Sequence, residues 1–237
     1  MYLVKTPFLL KKIYPKSLIW NKSRDKKTIF LTFDDGPIPI VTPWVLKTLK
    51  KFNARATFFC IGDNITKHPE IFSQLKADGH AIGNHTYNHL KGWDCEDDVY
   101  ISNFLKCQEL TQTNLFRPPY GRIKFSQIRK MRAQESRIKN QDPLYNSQIS
   151  DFKSQAFNHS NPKPSTVNLK TIMWDVLSGD FDINLSPEKC LKNVIKHTEN
   201  GSIVVFHDSL KAWERLEYVL PRALEYWFKE GYKFECL

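Results

Sequence analysis

With 237 residues, 41% of them hydrophobic and 25% charged, the chain is long enough for one large α/β domain with a substantial core. It contains no apolar run near the roughly 18 residues of a membrane span, and its five cysteines lack any C-x-x-C spacing, which argues against a cysteine metal cage or a disulfide framework. The net charge of +10 is local: residues 122–170 hold ten Lys or Arg against Glu135, Asp142 and Asp151, so the remainder is nearly neutral and no nucleic-acid partner is expected.

The segment Met1 to Trp20 is apolar but interrupted by Lys5, Lys11, Lys12 and Lys16, without a long apolar h-region or a small-residue cleavage site. Residues 1–26 therefore read as an N-terminal extension, and the protein as cytoplasmic with reduced thiols, membrane association of residues 1–20 being the alternative. From Thr28 onward, β-branched and aromatic runs alternate with stretches of helical period, as in repeated βα units around a parallel sheet. Seven strands are predicted: Ile29 to Phe33, Ala56 to Cys60, Ala81 to Asn84, Leu115 to Phe116, Thr171 to Trp174, Ile203 to Phe206 and Tyr232 to Cys236. Between them, Val45, Leu46, Leu49 and Phe52 form one apolar helical stripe, Pro69 opens a second helix, and Ser186-Pro187-Glu188 caps a third. His68, His80, His159 and His197 read as surface or helix-end residues.

The stretch from about 135 to 168 is rich in Asn, Ser, Gln and Lys and carries Pro143, Pro162 and Pro164 without sustained periodicity. It reads as a low-complexity, flexible insertion within a domain spanning 27–237. It follows a helical stretch near Phe125 to Met131 and precedes a strand, so it belongs to a helix-to-strand connection. In a parallel barrel such connections lie opposite the catalytic face, and the insertion is not expected to be a substrate lid.

Asp34 and Asp35 end the first strand in Thr32-Phe33-Asp34-Asp35-Gly36-Pro37, and His85-Thr86-Tyr87-Asn88-His89 offers two imidazoles four positions apart. Two His and one Asp make a metal site, and the spare Asp can take a proton from a water that the metal holds. That is a hydrolase's layout. The other chemically suggestive clusters, Arg117-Pro118-Pro119-Tyr120, Asp175 to Asp182 and Val205-Phe206-His207-Asp208, also fall at the C-terminal ends of predicted strands, where parallel barrels build their sites.

In these five motifs and their order, the chain resembles the NodB-homology polysaccharide deacetylases of carbohydrate esterase family 4, over about Lys27 to Leu237 except the insertion. The resemblance implies a distorted (β/α) barrel of about seven parallel strands, a divalent metal, and removal of N-acetyl groups from N-acetylglucosamine-containing glycans. It implies Asp35, His85 and His89 as metal ligands, with zinc the leading identity and cobalt, nickel or iron as alternatives. Asp34 would be the base, Arg117 the residue orienting it, and the Tyr120 peptide N–H a donor to the oxyanion. His207 would be the acid, with Asp180 as its carboxylate partner and Asp175, Asp182 and Asp208 as rivals. Phe181 stands where Trp is usual, Leu177 where many members have another Asp, and Val205 where Leu is usual; Phe181 and Val205 would line the groove for the acetyl methyl. The alternatives are an O-acetyl esterase or non-sugar amide hydrolase on the same fold, a silent glycan-binding protein, and a non-haem iron oxygenase, whose triad would leave Asp34, Arg117 and His207 without a task.

Overall fold

A computed structural model describes residues 2–15, 17–141 and 169–237, with side chains in the helix ending at Gln141 described as far as Ala133. Among the described residues nine strands form one sheet, each paired in parallel with its neighbours: β1 (Leu18–Ile19), β2 (Thr28–Asp34), β3 (Ala56–Cys60), β4 (Ala81–Asn84), β5 (Leu115–Phe116), β6 (Lys170–Ile172), β7 (Val176–Leu177), β8 (Ile203–His207) and β9 (Lys233–Phe234). Their order is β1-β6-β5-β4-β3-β2-β8-β7, and β9 pairs with the first residues of β2. This is the expected distorted (β/α) barrel. The two strands that the sequence did not predict, β1 and β7, are two residues long, too short to carry a period.

The helices are α1 (Phe8–Ile13), α2 (Val41–Lys51), α3 (Gly62–Lys67), α4 (Pro69–Ala77), α5 (Asp97–Thr111), α6 (Phe125–Gln141), α7 (Pro187–His197) and α8 (Trp213–Lys229). Each predicted stripe faces the sheet: Val45 and Leu49 of α2, Leu75 of α4 and Val194 of α7 lie in one core with Ile29, Leu31 and Phe33 of β2. Ser186 caps α7 by accepting a hydrogen bond from the Lys189 N–H, and Pro187 opens its first turn. On β2 the alternate residues Thr32 and Asp34 point the other way, into the barrel, and this polar inner face positions the site.

Three expectations change. His80 is buried, its Nδ1 accepting the Ala56 N–H at 3.2 Å, and burial holds its imidazole down to about 4, so it is a neutral core residue. Helix α6 continues to Gln141, so residues 135–141 are helical where the sequence suggested an irregular insertion. The rest of that insertion, 142–168, including His159, lies outside the described residues. The N-terminal residues join the sheet at both of its open edges. Leu18 and Ile19 extend β6, while Lys5 bridges Val176 antiparallel and the Leu177 N–H donates to the Val4 carbonyl at 2.8 Å. This strap crosses the seam between β6 and β7. All five cysteines are free thiols, and among the described residues no helix is long and apolar enough to cross a membrane.

Candidate active site

The register of β2 against β8 sets Asp34 opposite His207 at the ends of neighbouring strands. Arg117 follows β5 and is fully buried. One Nη1–H donates to Asp34 Oδ1 at 2.7 Å and another to Thr32 Oγ1 at 2.7 Å, while Nη2 and Nε donate to the carbonyls of Met173 and Ile172. The fork is thus not bidentate on the carboxylate. It is locked by two strands, with the guanidinium 4.1 Å from the Phe59 ring centre, and it reaches Asp34 through a single bond.

Asp35, His85 and His89 converge beside this pair. Their ligand atoms lie within 4.8 Å of one another, with Asp35 Oδ1 3.3 Å from His89 Nε2 and 3.8 Å from His85 Nε2. The two histidines sit on an irregular loop after β4, not on a helix. His85 Nδ1–H donates to the Arg117 carbonyl at 2.8 Å, which leaves Nε2 as the lone-pair nitrogen aimed at Asp35. Burial, with His89 beside it, keeps the His85 imidazole well below its ordinary pKa, and burial also lowers His89. Asp35 Oδ1 is buried without a hydrogen-bond partner among the described residues. Two neutral imidazoles and an unpartnered carboxylate oxygen suit a divalent cation, which would satisfy all three at once.

The local backbone is strained in the same place. Asp35, Thr86, His89 and Tyr120 all have left-handed φ, of 87°, 62°, 56° and 59°. Each costs of the order of 1–3 kcal/mol, a strain that clusters where side chains must be aimed. The Asp35 carbonyl accepts from Asn64 Nδ2 at 2.7 Å, and Asp208 holds the turn beyond it through the Gly36 N–H at 3.0 Å and the Thr42 hydroxyl at 2.6 Å. Gly36 is required there, because a Cβ would lie 2.0 Å from Asp208 Oδ2.

Of the four acids that could have partnered His207, Asp180 does so. Its Oδ1 accepts from His207 Nδ1 at 2.7 Å and its Oδ2 from the His207 N–H at 2.8 Å. Burial opposes the charged imidazole, but the Asp180 carboxylate outweighs it and His207 is raised to about 9. Asp175 instead binds Lys5, Lys11, Arg24 and Ser202, Asp182 lies beside Tyr2, and Asp208 serves the Gly36 turn. The Phe181 ring stands 5.2 Å from that of His207, and the exposed Tyr120 ring 4.6 Å from that of His89. Val205 shares the β8 face of His207 but is 1% exposed, so it packs inside the barrel, not at its opening.

Residues that the sequence did not single out complete the frame. Arg215, in the first turn of α8, donates from Nε to the Asp180 carbonyl at 2.7 Å, and Thr32 and Asn64 brace Arg117 and Asp35. Asn64 and Arg215 stand outside the motifs, Thr32 opens the first motif without an evident role, and a buried arginine reads from sequence as a helix-surface residue.

These side chains, gathered at the strand ends of this barrel, match known proteins along the chain. The sequence pattern of the family described as polysaccharide deacetylase matches residues 21–137. A chitooligosaccharide deacetylase of Azorhizobium caulinodans is 30% identical over 193 residues, covering 78% of this chain and 76% of the relative. The chain belongs to the polysaccharide deacetylase family. Another member of the family, a peptidoglycan-N-acetylglucosamine deacetylase of Bacillus cereus, is 28% identical over 233 residues, 95% of this chain and 94% of the relative. A peptidoglycan N-acetylglucosamine deacetylase solved with 4-naphthalen-1-yl-N-oxidanyl-benzamide superposes with a TM-score of 0.75 at 26% identity, covering 98% of this chain and 94% of that one.

Proposed function

We propose that this protein removes N-acetyl groups from N-acetylglucosamine-containing glycans, with Asp34 as base and His207 as acid. The observation that carries the reading is a pair of differently prepared groups facing each other across β2 and β8: Asp34 held by Arg117, and His207 held protonated by Asp180. A divalent ion held by Asp35, His85 and His89, zinc foremost with cobalt, nickel or iron as alternatives, would supply a Lewis acid and an acidified water.

Arg117 fixes Asp34 through Oδ1, and Oδ2 accepts no hydrogen bond among the described residues, so it is the oxygen that takes the proton of the attacking water. The Tyr120 peptide N–H donates to the oxyanion as the carbonyl becomes tetrahedral. His207, charged near neutral pH and anchored through Nδ1, delivers its proton from Nε2 to the sugar nitrogen as the C–N bond breaks, giving acetate and a free amine. Phe181 beside the imidazole offers an apolar wall for the acetyl methyl.

The test is acetate release from N-acetylglucosamine oligomers by protein stripped with chelator and reloaded with zinc, cobalt or iron. Activity should return with metal, Asp34→Asn should lose on the order of 10²-fold or more in kcat while keeping its metal, and His85→Ala should lose the metal itself. Metal loss in Asp34→Asn would overturn the division of labour between the two aspartates. No acetate with any metal would move the assignment to an ester or a non-sugar amide.

A further inference from the structure

The N-terminal strap ends against the acid half of the site. Residues 4–6 are fastened to the outer edge of β7 by main-chain bonds, including the Thr6 N–H to the Asp175 carbonyl at 3.0 Å, and the Thr6 hydroxyl donates to the Trp174 carbonyl at 2.8 Å. This delivers Tyr2 to the loop that follows β7. Its ring centre lies 5.0 Å from that of Phe181, which also neighbours the His207 ring at 5.2 Å. Gly179, with φ +82°, leaves room for the phenol, since a Cβ there would sit 2.7 Å from the Tyr2 hydroxyl. Burial and the adjacent Asp182 carboxylate push that phenol up to about 12, so it stays neutral.

We propose that Tyr2 is a positioning residue for the acid half of the site: carried on the strap, its ring holds Phe181 against the His207 imidazole. The loop 178–185 also bears Asp180, so a Phe181 released from Tyr2 loosens the orientation of the acid. The proposal rests on the deacetylase reading, in which His207 protonates a poor leaving group. An amine needs that proton, whereas the phenolate of an activated ester departs without it. Tyr2 should therefore matter for the amide and not for the ester.

The experiment compares kcat on N-acetylglucosamine oligomers with kcat on 4-nitrophenyl acetate, for the metal-loaded wild type, Tyr2→Phe, Tyr2→Leu and Tyr2→Ala, each checked for an unchanged melting transition. Tyr2→Leu fills the space without the ring and remains interpretable should Tyr2→Ala fold poorly. Tyr2→Leu and Tyr2→Ala should lose about tenfold on the amide, a fraction of what general acid catalysis supplies, and less than about twofold on the ester. Tyr2→Phe should stay within about twofold on both. In a Phe181→Leu background, Tyr2→Leu should have no further effect on the amide. Equal losses on both substrates, no loss on either, or an effect that persists without Phe181 would each overturn the proposal. A wild type inactive on the glycan would refute the deacetylase reading alone. The proposal would then be decided by NMR of the His207 ring protons at fixed pH in metal-free protein: a shift moved by Tyr2→Leu supports it, and an unmoved one overturns it.

Discussion

Asp180 grips His207 at two points, and only one of them depends on its charge. The His207 N–H bond at 2.8 Å would survive replacement by Asn, whereas the electrostatic support for the imidazolium would not. With a neutral partner, burial is left to dominate and the imidazole pKa falls. The alkaline limb of kcat/KM reports loss of the protonated acid, so Asp180→Asn should move that limb to lower pH. A cation held by Asp35, His85 and His89 would lower the value in both proteins, and the difference between them would remain. A pH-rate profile checks this, and coincident alkaline limbs would remove Asp180 from its role. At this scale the sequence was legible where residues cluster: Asp34-Asp35 and the two histidines each announce themselves within five positions. The acid's partner was less so, because Asp175, Asp180 and Asp182 fall within one short stretch, Asp208 adjoins His207 itself, and only the fold separates them. Arg215 and Tyr2 gave no signal, since each acts on a loop distant in sequence.

Among the elements, the strap carries the strongest electrostatic feature. Asp175 is fully buried and accepts Lys5 Nζ at 2.8 Å, Lys11 Nζ at 2.6 Å, Arg24 Nη2 at 2.9 Å and the Ser202 hydroxyl at 2.7 Å. Burial alone would raise its carboxyl, but these partners reverse that and depress it below the ordinary carboxylate range. A carboxylate depressed on folding stabilises above its unfolded pKa of about 3.9 and loses that contribution as pH falls below it. Asp175→Ala leaves three partly exposed cations without their shared partner. It should cost about 3 kcal/mol, the lower end for breaking a buried pair, because the cations can turn to water. Thermal melting should drop by about 6–12 °C at pH 7, and the gap to wild type should narrow only below about pH 4. A gap that persisted undiminished at pH 2 would assign the loss to packing. The lysines that broke up the apolar N-terminal segment in the sequence are, at Lys5 and Lys11, the residues that bind it to the barrel. No pattern within residues 1–26 could have shown this, because the acid they meet lies some 150 or more positions away.

At the scale of the whole molecule, all strands run in parallel and every reactive side chain sits at or just beyond a strand's C-terminal end. Helix α6 starts soon after Tyr120 at that mouth and runs away from it, and β6 begins at the opposite end with the exposed Lys170. The chain leaves the described structure at Gln141, the last residue of α6, and returns at Leu169, just before β6, and a helix-to-strand connection of a parallel barrel lies opposite the strand ends that carry the site. Replacing 142–168 with a short Gly-Ser linker should therefore leave kcat/KM on N-acetylglucosamine oligomers within about twofold. The shorter connection also lowers the entropy of closing the α6-to-β6 loop by about 1 kcal/mol, so melting should hold or rise by about 2–4 °C. Activity lost in a variant that melts cooperatively at or above the wild-type temperature would mean that the replaced residues reach the mouth. The topological argument would then fail for this connection even though it holds for every strand end that carries the site.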